Sequence, residues 1–142
     1  MLSIDTNVII GLLALGVLGL VAMLALSLMW RKNSALDTKK YRAVWEKIEQ
    51  AVDRSNPLTY QMAVLSADKL LDKALRDSGV SGETMGERLK SAKNRFSKIN
   101  DVWFAHKVRN RIAHEPEMKL NYPTTKRVLA IFKKALKELG AL

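Results

Sequence analysis

Residues Val8 to Trp30 form a run of 23 residues without a charge, against the roughly 20 apolar residues a helix needs to cross a hydrocarbon core of about 30 Å. The sequence therefore predicts a single transmembrane helix over 8–30. A cleaved signal peptide would combine a basic leading region with a shorter apolar stretch of about 7 to 15 residues, whereas Met1 to Asn7 holds Asp5 and no Lys or Arg. Arg31 and Lys32 follow the run directly, and Lys39, Lys40 and Arg42 come soon after. The positive-inside rule then places the C-terminal side in the cytoplasm and residues 1–7 outside it. Trp30 falls at the cytoplasmic boundary, where its amphipathic ring is favoured. Gly11, Ala14, Ala22 and Ala25 share an arc of about 80°, a small-residue face on which two helices can approach closely. No Gly-x3-Gly spacing accompanies it, and a plain anchor is the simpler reading.

All 24 Lys and Arg follow residue 30, together with 13 of the 14 Asp and Glu, so residues 31–142 carry a formal +11. Such a balance attracts phosphate backbones and anionic headgroups alike, and the attraction weakens with salt. The densest basic runs, Arg31-Lys32, Lys39-Lys40, Lys126-Arg127 and Lys133-Lys134, equally describe a solvated face. The absence of cysteine excludes disulfides, thiolate metal sites and cysteine nucleophiles, and it suits a reducing compartment.

Beyond a juxtamembrane linker at 31–36, residues 37–142 read as helices separated by short breaks, with no strand-like alternation. A first helix is expected from about Leu36 to Asp53, with Tyr41, Val44, Trp45, Ile48 and Val52 at helical spacing. Asn56 is the expected cap of a second helix, with Pro57 at its first position and Gly79 closing it. Its apolar stripe runs through Tyr60, Ala63, Val64, Ala67, Leu70, Leu71 and Ala74, marking a central bundle member. A third helix, from about Glu83 to Ile99, has only Met85, Leu89, Ala92, Phe96 and Ile99 to bury. The fourth runs from about Asn100 to His114, limited by Pro116, and the fifth from Pro123 to Leu139, ended by Gly140.

The fourth helix carries the chemistry. Its stretch Val-Arg-Asn-Arg-Ile-Ala-His-Glu-Pro places Arg109, Asn110 and His114 within six residues. An imidazole can exchange a proton near neutral pH, and a guanidinium can hold a phosphate or a developing phosphorane through paired hydrogen bonds. With His106 taken as zero, Phe104, Val108, Ile112 and Ala105 fall between about 160° and 260° and define the expected buried face. His106, Asn110 and His114, at about 0°, 40° and 80°, are expected to look away from the core, with Arg109 on the flank at about 300°. The plain alternative is an ordinary solvent face, or His114 as a cation favoured by the helix C-terminus. His106 and His114 stand about 12 Å apart along the helix, too far to share an ion at ligand distances of about 2 Å, so no metal site is expected. Asp68 and Asp72, one turn apart on the second helix, can order the arginine; surface pairing with nearby Lys and Arg is the competing reading.

Arg109-Asn110-x3-His114 resembles the Arg-x4-6-His signature of the HEPN family, in which the residue after the arginine is commonly polar. Residues 61–78 are similar to an early core helix of such domains, and the resemblance covers roughly 37–140. It implies an all-α, up-and-down bundle of four to five helices that dimerises so that two motifs line one cleft. It also implies cofactor-independent cleavage of RNA, with the 2′-OH attacking the adjacent phosphorus, Arg109, Asn110 and His114 as catalytic residues, and His106 and Asp68 in support. Lys107, Arg111, Lys126, Lys133, Lys134 and Lys137 are the expected RNA-binding residues, on exposed faces of the fourth and fifth helices. Two other outcomes are consistent with the same residues. One is a noncatalytic RNA-binding or protein-interaction scaffold at the membrane. The other is a toxin-like component held by an antitoxin partner, as the resemblance suggests for many relatives.

Overall fold

The computed structural model describes residues 5–32 and 36–142, with side chains in 5–26 and 36–142. Residues 1–4 of the expected outer segment, the side chains of Trp30, Arg31 and Lys32, and residues 33–35 of the expected linker lie outside the described residues. Among the described residues there are six α-helices, one 3-10 turn and no strand, in line with the expected all-α class. The chain divides into two units, residues 1–35 and 36–142.

The first unit is the helix α1, Thr6–Lys32. Its Thr6–Leu26 stretch has a mean hydropathy of 2.8, and none of it is buried within the protein. By length and composition it can cross a membrane. The helix continues through Arg31 and Lys32, which the sequence assigns to the linker; both are good helix formers, so the backbone does not break where the charge begins.

The second unit holds α2 (Thr38–Gln50), α3 (Leu58–Asp77), α4 (Met85–Ser91), α5 (Ile99–His114) and α6 (Tyr122–Glu138). α3 is the central member and packs against the other four, while α5 also packs on α6. Its inward residues Val64, Ala67, Leu71, Ala74 and Leu75 are wholly buried, at the helical spacing that a core-facing stripe requires. Trp45 from α2, Leu89 from α4 and Val128, Phe132 and Leu136 from α6 complete this core. Burying a side chain of that size contributes about 1.5–3 kcal/mol, so the apolar stripes rather than the scattered surface ion pairs carry the fold.

Local signals set the helix ends. Asp37 caps α2 by accepting from the Lys40 N–H at 3.1 Å, and Asn56 Oδ1 accepts from the Leu58 N–H at 3.1 Å ahead of α3. Gly79, at φ 74, closes α3 with the Val80 N–H on the Leu75 carbonyl and its own N–H on that of Arg76. Gly140, at φ 76, closes α6 in the same way through Leu136 and Lys137. This paired pattern needs a left-handed residue at its centre, which glycine supplies without a Cβ penalty.

The expected third helix is broken. A capping box between Thr84 and Glu87 starts α4, but the helix stops before Ala92 and gives way to a 3-10 turn at Lys93–Arg95. Phe96 is then extended, with φ −115 and ψ 130, and 6 % exposed. Lys93, Asn94 and Arg95 offer no apolar side chain to hold another helical turn against α3, and the extended residue turns the Phe96 ring into the core instead.

Tyr41 near the start of α2 bonds Asp77 at the end of α3, so these helices run antiparallel. Gln61 near the start of α3 reaches the Met118 carbonyl beyond α5, and Ser97 ahead of α5 bonds Glu138 at the end of α6. α5 is thus antiparallel to both α3 and α6, which brings its middle against the middle of α3.

Candidate functional site

Where α3 and α5 cross, four side chains close a ring. Asp68 Oδ1 on α3 lies 2.8 Å from His106 Nδ1 on α5. His106 Nε2 lies 3.2 Å from Asn110 Nδ2, and Arg109 Nη1 donates to Asn110 Oδ1 at 3.0 Å. Arg109 Nε stands 3.3 Å from Asp68 Oδ2 as an ion pair, although its N–H is not aligned into a hydrogen bond. A carboxylate accepts only, so Nδ1 carries the imidazole proton and Nε2 accepts from the Asn110 amide. Three of the ring's contacts then pair a donor with an acceptor, and the skewed Nε–H is the exception. Trp103 lies beside the ring of side chains, its indole edge-on to His106 at 6.0 Å between centroids.

A second arginine is anchored one turn along α3. Arg88, 5 % exposed, places Nε 2.7 Å from Asp72 Oδ1 and donates through Nη1 to the Gly82 carbonyl. Gly82 sits at φ +140, and a Cβ there would meet the Arg88 backbone nitrogen at 2.7 Å, so the approach depends on glycine. The two pairs lie in one open cleft between α3, α4 and α5, rimmed by Lys69 and Lys107. Five cations line it, Lys69, Arg76, Arg88, Lys107 and Arg109, against three carboxylates, Asp68, Asp72 and Glu83. The cleft is net positive by two charges.

His114 is elsewhere. It is exposed at the last turn of α5 and lines a separate hollow with Arg111, Glu117, Asn121 and Thr124. Beside it Arg111 grips Glu115 through Nε and Nη2 at 3.0 to 3.1 Å, and this holds the Glu115 carboxyl below its usual range. Five residues of helix turn His114 about 140° from Arg109. One chain therefore brings Arg109 and Asn110 together and leaves His114 apart.

Several sequence expectations change at this site. His106, expected to look away from the core, is 7 % exposed, whereas Phe104, expected to be buried, is 37 % exposed with the Arg127 guanidinium 4.7 Å from its ring centroid. The buried face of α5 runs through Val102, Ala105, His106 and Val108, rotated by roughly 70° from the expected arc. The rotation is physically allowed because Asp68 satisfies the imidazole that it buries. Asp68 is itself 4 % exposed, so it does not pair at the surface, and its Oδ2 lies 3.3 Å from Arg109 Nε.

Of the expected RNA-binding residues, three are engaged by carboxylates. Lys107 rims the cleft. Arg111 is taken by Glu115, Lys133 bonds Glu49 at 2.7 Å, and Lys134 is 3.7 Å from Glu138. Lys126 and Lys137 are exposed on α6, and no α6 residue lines the cleft. Trp103 and Arg88 join the site without any signal in the sequence; for Asp72 the one signal is its i, i+4 spacing from Asp68. Among the described residues the chain is an all-helical bundle with one apolar N-terminal helix. No family model matches it, and neither a curated protein nor a solved structure does so.

Proposed function

We propose that this chain is a membrane-anchored, metal-independent endoribonuclease of the HEPN type, held by α1 with residues 36–142 on the cytoplasmic side. The observation that supports it is the anchoring of Arg109 by Asp68 and Asn110 at the edge of a net positive cleft. Its side chain is 36 % exposed, so one edge of the guanidinium is fixed while another meets solvent. A cation fixed in advance stabilises a developing phosphorane without reorganising, an effect worth about 10²- to 10³-fold per donor. Asn110 and His106 act as positioning residues in this scheme, since their polar atoms bond Asp68, Arg109 and each other.

The 2′-OH attacks the adjacent phosphorus, the P–O5′ bond breaks, and the products are a 2′,3′-cyclic phosphate and a 5′-OH. His114 takes the 2′-OH proton or gives one to O5′, a role worth about 10²- to 10⁴-fold. Because Arg109 and His114 line different hollows in one chain, the mechanism requires a homodimer whose two α5 motifs share one cleft. The test is cleavage of RNA by the full chain in EDTA, with analysis of the product ends. Metal-dependent cleavage, or products with 3′-OH ends, would sink this reading.

The separation of Arg109 from His114 favours a second reading, a noncatalytic RNA-binding scaffold at the membrane. It predicts salt-sensitive RNA binding through the cleft with no cleavage at any protein concentration.

A further inference from the structure

α2 and α3 leave an apolar groove of about 530 Å³ between them, which shares Lys69 and Arg76 with the cleft. Val44 and Ile48 of α2, Ala51 at its C-terminal cap, and Met62, Ala63 and Leu70 of α3 form its floor and walls. Val44 is 38 % and Met62 63 % exposed. The groove is rimmed by Lys40 and Lys47 on α2 and by Lys69 and Lys73 on α3, and no carboxylate lines it. Lys73 is paired with Asp77; Lys40, Lys47 and Lys69 have no ionic partner among the described residues.

We infer that this groove receives an acidic amphipathic helix of a partner protein. Lys40, Val44, Lys47 and Ala51 lie at i, i+4, i+7 and i+11 along α2 and its C-terminal cap, and Met62, Ser66, Lys69 and Lys73 repeat that spacing on α3. Two such walls span about 16 Å, or three helical turns, and the mode is an apolar helix stripe laid into a groove. Cations along both walls match carboxylates on both flanks of such a stripe. A second copy would set lysine against lysine across a symmetric contact, and an anionic lipid would need its charge partners at one end only.

The test uses the full chain in phosphatidylcholine nanodiscs and a labelled 18-residue peptide with leucines at i, i+4, i+7 and i+11 flanked by glutamates. A peptide of the same composition with its leucines dispersed is the control. Binding of the patterned peptide at least tenfold tighter than the control, weakened tenfold or more by Val44→Glu with Met62→Glu and by raised salt, is the expected result. Both replaced side chains are exposed, and a Lys40→Gln/Lys47→Gln variant supplies an independent check that also should lose affinity. Equal binding of the two peptides, or no effect of either variant, would overturn the inference. So would occupancy by phosphatidylglycerol alone, seen as protection of Met62 from oxidation in nanodiscs of that lipid without peptide, or dimers cross-linked through Met62→Cys.

Discussion

Asp68 on α3 and His106 on α5 meet at 2.8 Å between Oδ1 and Nδ1, with 5 % and 8 % of their side chains exposed. A carboxylate this buried is strongly unfavourable without partners, and it has two, the imidazole and the Arg109 guanidinium. Replacing Asp68 with Ala removes both at once and should cost about 3–5 kcal/mol, while His106→Ala should cost about 1–3 kcal/mol. The double variant should cost less than the sum of the two, because they share one interaction. Unfolding followed by tryptophan fluorescence measures this; strictly additive losses would show the pair to be uncoupled.

The Tyr41 hydroxyl bonds Asp77 Oδ2 at 2.7 Å and ties the start of α2 to the end of α3. Burial, then this bond and the Asp77 charge, push the Tyr41 phenol well above its ordinary value of 10.0. A raised folded-state value means that the protonated form stabilises the fold. Its contribution is therefore complete below pH 10.0 and is lost as pH rises beyond it. Alkaline unfolding curves should accordingly be shallower for Tyr41→Phe than for the parent, and superimposable curves would contradict the assignment.

RNA affinity should depend more on the cleft lysines than on those of α6. Lys69 and Lys107 rim the cleft, whereas Lys133 and Lys134 are engaged by Glu49 and Glu138. Lys69→Gln with Lys107→Gln should reduce the salt slope of binding by about two, close to one for each phosphate that is no longer neutralised. Lys133→Gln with Lys134→Gln should change it by much less. The reverse order would move the RNA path onto α6.

A reporter fused after residue 142 should behave as cytoplasmic, since every basic residue follows the apolar run. Accessibility of that end to protease added outside the cell would overturn the topology.

Much of this architecture is legible in the sequence, and the exceptions share a cause. The stripes of α3 and α6 and the closures at Gly79 and Gly140 follow from local spacing, so periodicity places them within a residue or two, whereas α2 ends at Gln50, three residues before the expected Asp53, and leaves Val44 of its expected stripe exposed. α4 stops early because what competes with its last turns is the burial of Phe96, a tertiary matter. The face of α5 departs from its expected arc for a similar reason: an arc drawn through Phe104 and Ile112 counts only apolar side chains. His106 is buried by a carboxylate 38 residues earlier, and no local pattern reports that partner. The motif residues are visible one by one, but their division between two hollows emerges only in three dimensions.

The most direct test of the proposed ribonuclease mixes two inactive variants. Arg109→Ala and His114→Ala should each abolish RNA cleavage in EDTA while keeping the helical fold, since neither side chain belongs to the apolar core; Arg109→Ala should also lower stability, because Asp68 loses one of its two partners. If two copies share one site, mixed dimers contain one intact Arg109 and His114 combination, and an equal mixture should recover up to about one quarter of the parent activity by symmetry. No recovery where mixed dimers demonstrably form, or full activity of His114→Ala alone, would contradict the account.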